Sequence, residues 1–148
     1  MSDEQLFALA SSAPLPAWLA LCFAPLGRRQ VVVFARFVAI SLCLAYLLMI
    51  AVALSQPGGA APDLTTLAGL AKAFSDPRVM LIGWLHYLAF DLWVGTWIVE
   101  EAGRRAVPNA AVAPCLVLTL LAGPVGLLAF LAARSALGRK PVTPPSAP

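Results

Sequence analysis

The chain has 148 residues, of which 61% are hydrophobic and only 11% charged, against roughly 25% charged in ordinary soluble domains. With a mean hydropathy of +0.87, a chain this short has too little polar surface to clothe a water-soluble domain, so most side chains must be solvated by lipid or by neighbouring helices. The net charge of +3 comes from Lys and Arg placed near the ends of apolar runs, which reads as interfacial anchoring rather than a nucleic-acid groove.

The expected fold class is all-α, a polytopic transmembrane bundle of about four helices. A short N-terminal segment, 1–5, precedes a helical domain over 6–134. Its acids, Asp3 and Glu4, stand where a signal peptide needs a basic leader, so the first apolar run is expected to be kept. The four predicted helices are 6–24, 31–54, 79–99 and 110–133, each long enough to cross a hydrocarbon core of roughly 30 Å at about 1.5 Å per residue. The first is broken by Ser11, Ser12, Pro14 and Pro16 and should be kinked or partly re-entrant. The second carries one charge, Arg36, expected to snorkel back to the headgroups beside Arg28 and Arg29.

Gln56-Pro57-Gly58-Gly59 and Ala61-Pro62-Asp63 mark turns, and Leu64 to Phe74 forms an amphipathic stretch suited to a membrane surface. Ser75-Asp76-Pro77 is a helix-start signature with Ser75 or Asp76 as cap, so the third helix should begin near Pro77. Glu100 and Glu101 at its exit read as solvated surface groups. Gly123-Pro124-Val125-Gly126 should kink or unwind the fourth helix, and the Pro-rich tail, 135–148, is expected to be disordered. With the N-terminus outside, Arg28, Arg29 and Arg36 join Arg104 and Arg105 inside, against Lys72, Arg78, Arg134, Arg139 and Lys140 outside. That is a tie, and the Arg pair of the first loop against the all-acidic N-terminus tips it towards this orientation. Cys22, Cys43 and Cys115 sit in apolar sequence at spacings that suit neither a disulfide framework nor a metal knot, and read as small core residues.

Titratable groups at membrane depth are costly, by about 2.5 to 3.5 kcal/mol for a central Asp on insertion scales, and are functional candidates by default. His86, the single histidine, and Asp91 lie in the third helix. At about 100° per residue Asp91 shares a face with Trp84, Tyr87, Leu88 and Gly95, and His86 shares another with Phe90, Trp93 and Trp97. The two are roughly 140° apart around the axis and about 7.5 Å apart along it, which disfavours a direct hydrogen bond but lets both line one cavity if the helix is central. In a purely structural role, Asp91 would pair with Arg36, Tyr46 or a backbone gap at the Pro124 kink. No metal site is expected from one His without ligand-spaced partners, and no phosphate loop or nucleophile elbow is present.

The run Ala73-Phe74-Ser75-Asp76, followed by Trp84-Leu85-His86-Tyr87-Leu88-Ala89-Phe90-Asp91-Leu92, resembles the signature of the plant abscisic-acid-deficient 4 protein and its bacterial relatives. Ala24-Pro25, Ala45-Tyr46-Leu47-Leu48 and Gly123-Pro124-Val125-Gly126 support the resemblance, which spans about 15–134. It implies a multi-pass protein of carotenoid metabolism, since the plant members are needed to convert violaxanthin to neoxanthin by opening an epoxide to an allene. The absence of a plastid transit peptide and the Ala/Leu/Pro/Arg usage suggest a bacterial member, placed in the inner (cell) membrane.

On that basis the leading expectation is a cofactor-independent isomerase acting on an epoxy-carotenoid-like substrate. His86 and Asp91 would be the catalytic pair, while Trp84, Tyr87, Phe90 and Trp93 flank a polyene or terpenoid. The alternatives are a non-catalytic protein that binds pigment or lipid beside an enzyme partner and, ranked lower, a small proton-coupled transporter. Expected partners are membrane lipid, the apolar ligand and no nucleic acid. Gly95 would permit close contact in a homo-oligomer.

Overall fold

A computed structural model describes residues 2–23, 28–56 and 62–139; the Ala24-Pro25 pair, the turn at 57–61 and the tail from 140 onward lie outside the described residues. All regular structure among the described residues is helical: α1 (Asp3–Ser12), α2 (Leu15–Cys22), α3 (Arg28–Ser55), α4 (Leu67–Phe74), α5 (Pro77–Arg105), α6 (Asn109–Ala122) and α7 (Pro124–Leu137). The last of these continues into the stretch expected to be a disordered tail.

Local chemistry sets most of these boundaries. Ser2 and Gln5 form a reciprocal capping box that starts α1. Pro14 and Pro16 lack the N–H groups that would carry α1 smoothly into α2, yet Asp3–Cys22 as a whole is long and apolar enough to cross a membrane. Thr66 caps α4 through the Gly69 N–H at 3.0 Å. In the preceding turn, hydrogen bonds from the Thr65 hydroxyl and N–H and from Thr66 hold the Asp63 carboxyl below the usual carboxylate range. Of the two caps the sequence left open, Asp76 is the one used: it accepts from the Arg78 N–H at 2.8 Å and Pro77 opens α5.

The long helices run in alternating directions. Asp3 faces Arg78 at 3.5 Å, the Trp84 Nε1–H donates to Ser11 Oγ at 2.9 Å, and Trp18 covers Gly95, so α1 and α2 run parallel to α5. Arg36 meets Glu100 at 2.6 Å and Tyr46 meets His86, so α3 runs antiparallel to it. Ala35 and Ala39 are fully buried, and such small residues let membrane helices approach closely. Gly95 is likewise consumed inside the chain: a Cβ there would stand 2.8 Å from the Trp18 ring, so this glycine is not available for contact with a second copy.

The largest departure from the sequence reading is at the C-terminal end. Among the described residues three stretches are long and apolar enough to cross a membrane, Asp3–Cys22, Arg29–Ser55 and Pro77–Arg105; the expected count of about four is not confirmed. The expected fourth helix, 110–133, is two helices of 14 residues each, about 21 Å long apiece and short of a roughly 30 Å core. At Gly123 the backbone takes φ 23° and ψ −86°, and the chain turns back. Gly126 then packs directly on the backbone of Thr119, Phe130 meets Trp97 edge-on at 5.7 Å, and the Arg139 N–H donates to the Arg105 carbonyl at 2.7 Å. So α7 ends where α6 began. The pair is a helical hairpin with its mouth at the C-terminal end of α5 and its tip halfway along it.

One further expectation changes with it. Glu101, read as a surface carboxylate, is 7% exposed and receives Arg104 and Arg105 from its own helix at 3.0 Å and Arg134 from α7 at 3.1 Å, which ties the hairpin to α5. Arg36 has a partner the sequence did not name: it pairs with Glu100 near the exit of α5, and its guanidinium lies 5.2 Å from the Trp93 ring centre. Because α7 returns to the side it left, Arg28, Arg29, Arg36, Arg104, Arg105, Arg134 and Arg139 fall towards one end of the bundle, and Lys72 and Arg78 towards the other.

A direct check places single cysteines at Ala110 and Ala136, both exposed, in a background without native cysteines. The hairpin requires an impermeant maleimide to label both from the same side of the membrane, and labelling from opposite sides would restore the fourth crossing. Glu101→Gln is expected to lower stability by about 1 to 3 kcal/mol, read by thermal unfolding in detergent, because three arginines lose their shared partner.

Candidate functional site

At the middle of α5 a carboxyl and a phenol meet the hairpin tip. Asp91 is half-buried against the hairpin tip: a Cβ on Gly123 would lie 2.6 Å from its Oδ1 and 3.2 Å from its Oδ2. Tyr87, one turn earlier, interacts through its hydroxyl with the Asp91 carboxyl and with the Gly123 backbone. Oδ2 is buried with no hydrogen-bond partner, which in a native structure calls for an explanation. Gly123 is also the N-cap of α7 and offers no side-chain cap. A helix N-terminus carries roughly half a positive charge, so the hairpin tip partly offsets the cost of a carboxylate at this depth.

Aromatic rings wall this polar point on one side. Trp84 stacks on Tyr87 with ring centres 5.3 Å apart and planes at 21°, Phe7 lies 5.6 Å from Trp84, and the Trp84–Ser11 hydrogen bond anchors the wall to α1. One turn beyond Asp91, on the same face, Trp18 rests on Gly95, and its indole N–H is also buried without a partner. An unpaired acceptor and an unpaired donor thus occur along one face of α5, a pattern that invites a bound water or a polar group of a ligand.

The second expected group is elsewhere. His86 is exposed, stacked on Phe90 with ring centres 4.5 Å apart and tilted against Tyr46 at 5.6 Å. Phe90 and Trp93 are 59% and 46% exposed. The structure therefore brings Trp84, Tyr87 and Asp91 together on the inner side of α5 and sets His86, Phe90 and Trp93 on its outer side towards α3, so the two titratable groups do not line one cavity. Trp97, grouped with His86 by helical spacing, turns to Phe130 of the hairpin.

Of the three structural partners considered for Asp91, Arg36 is taken by Glu100 and Tyr46 by His86; the gap at the Gly123-Pro124 break is the one it meets. Sequence reasoning did not assign Trp18 or Gly123 to the site. Gly95 one turn from Asp91 marked the place where an aromatic ring could approach, but nothing local names the ring. Between α1, α3 and α5 there is also an apolar cavity of about 450 Å³, lined by residues including Leu6, Ala10, Val38, Leu42, Met49 and Leu85. Among the described residues no group of three or more His, Cys, Asp or Glu is placed to hold a metal ion.

If the Asp91 carboxyl serves a reaction or ligand rather than the fold, Asp91→Asn should unfold within about 1 kcal/mol of the wild type, since Oδ2 has no partner to lose. Gly123→Ala should cost about 1 to 3 kcal/mol through overpacking and the positive φ. Thermal unfolding in detergent reads both, and a larger loss from Asp91→Asn than from Gly123→Ala would make the carboxyl a structural strut.

The chain matches the model of the ABA DEFICIENT 4-like family over residues 5–130. Comparison with curated proteins and with solved structures gives no match. The family match begins in α1 and runs to Phe130 in α7, taking in Trp18, the Trp84–Asp91 segment and the whole hairpin tip, and with most of its length covered the chain belongs to the ABA DEFICIENT 4-like family.

Proposed function

We propose that this protein is a carotenoid-acting membrane isomerase whose chemistry is centred on Asp91 and Tyr87. Family membership supports the carotenoid part of the reading. The observation that carries the catalytic part is the Asp91 carboxyl, with one unpartnered buried oxygen, held between a phenol and a glycine backbone at the hairpin tip.

With an epoxide-bearing polyene, the reaction needs a proton delivered to the opening oxygen and another removed from a vinylic carbon. Asp91 as carboxylate takes the vinylic proton, the electron pair of that C–H bond forms the second double bond of an allene, and the adjacent C–O bond breaks. Tyr87 gives its proton to the released oxygen, and transfer from the Asp91 carboxyl back to the phenolate restores both groups. Nothing is oxidised or reduced, and the product has the mass of the substrate. His86, the first candidate for the acid from the sequence, faces the other side of α5, so Tyr87 takes that role here.

A general base is typically worth 10² to 10⁴ in rate. Pigment profiling by liquid chromatography and mass spectrometry, in a carotenoid-producing host with and without the protein, should show a new isomer of unchanged mass. Asp91→Asn should reduce its formation about 100-fold or more, with Tyr87→Phe also impaired and His86→Ala close to the wild type. A folded Asp91→Asn protein that converts pigment at the full rate overturns the assignment. The apolar cavity between α1, α3 and α5 favours a second reading, pigment binding without turnover, and pigment that copurifies unconverted from an active host would select it.

A further inference from the structure

A cleft lies between α3 and α5 near the hairpin mouth. It holds about 520 Å³ between Arg29, Val33 and Arg36 on one side and Val99, Glu100 and Arg104 on the other. Three guanidinium groups face one carboxylate there, and Gly103 keeps the entrance open. Arg29 is exposed and has no ion-pair partner among the described residues. The Arg104 side chain is 64% exposed although its Nε reaches Glu101, and Arg36 keeps a buried Nε–H that no acceptor meets.

The cleft is amphipathic along its length. Arg29 and Arg36 are seven residues apart, about 10 Å along the helix, and Val32 and Val33 lie between them. A second hollow shares Arg29 and Val33 and continues over Phe34 and Phe37, which are 44% and 68% exposed. A cationic mouth above a strip of Val and Phe matches a phosphate headgroup with acyl chains below it. Seven of the nine described basic residues fall towards this end, and an excess of Arg and Lys marks the cytoplasmic side, where the leaflet surface is negative and basic pockets between helices take anionic headgroups.

We propose that the cleft between α3 and α5 is a binding site for the headgroup of an anionic glycerophospholipid of the cytoplasmic leaflet, with Arg29 and Arg104 holding the phosphate and Arg36 completing the donor set from below. The site is separate from Asp91 and does not rest on the catalytic proposal.

The test measures binding of phosphatidylglycerol and of phosphatidylcholine to the purified full-length protein in mild detergent by native mass spectrometry. A surface Arg is worth about fivefold in affinity for anionic lipid, so Arg29→Gln should weaken phosphatidylglycerol about fivefold and Arg29→Gln with Arg104→Gln about 25-fold, with phosphatidylcholine unchanged. The single variant keeps the question open to measurement if loss of the Arg104–Glu101 pair impairs folding. Removing the same charge at the other end, Lys72→Gln with Arg78→Gln, should change neither lipid by more than about twofold. Equal weakening by that control would show diffuse attraction and overturn the site, as would undiminished phosphatidylglycerol binding by the double variant. Stabilisation of lipid-free protein by inorganic phosphate, lost on Arg29→Gln, would assign the cleft to a free anion and overturn the lipid.

Discussion

At Gly123 the backbone adopts a conformation that a side chain would not tolerate, and the space a Cβ would need is already filled by the Asp91 carboxyl. Pro124 follows, with no N–H to give and a fixed φ suited to the first turn of a new helix. These two residues turn the chain back on itself, and the rest of the bundle depends on that reversal. Gly126 can then lie on the Thr119 backbone, Phe130 is carried to full burial against Trp97, and the return helix delivers Arg134 to Glu101.

Electrostatics fastens the hairpin at both ends in different ways. At the mouth, Glu101 is nearly inaccessible, yet three arginines surround it, so the desolvation cost of several kcal/mol for a lone buried ion is largely offset. At the tip, a single carboxylate faces a helix N-terminus, a phenol and a glycine, with one oxygen unpaired. The first arrangement is saturated and reads as structural. The second is under-satisfied at the centre of the bundle, the condition expected where a group is kept for use rather than for stability. Irregular backbone at membrane depth is tolerated where protein covers it, and at the tip α5 covers Gly123 itself while Leu121 and Val125 beside it are exposed.

The sides of α5 divide the labour. One side carries Trp84, Tyr87, Asp91 and Gly95 into contact with α1, α2 and the hairpin; the other presents His86, Phe90 and Trp93 beside α3. Both groupings were visible in the sequence, because residues at i, i+3, i+4 and i+7 share a helix face whatever surrounds the helix. Which face turned inward was not visible, since both are rich in aromatic residues and each carries a titratable group. Small residues settled it: Gly95 and Gly123 admit Trp18 and Asp91 on the inner face.

Composition, apolar run length and capping chemistry were enough to determine an all-helical chain with spans long enough for a membrane, the start of α5 at Asp76-Pro77, the broken first helix and the polar centre at Asp91. These are local properties, written in neighbouring residues. The tertiary structure alone decided that 109–137 folds back, because 29 residues are long enough to cross and a Gly-Pro pair is equally compatible with a kink. It also decided that Glu101 is buried, since its third arginine comes from 33 residues away. That Arg36 pairs with Glu100 depends likewise on a partner 64 residues distant. Distances of that order are fixed by how helices pack, and no periodicity within one helix contains them.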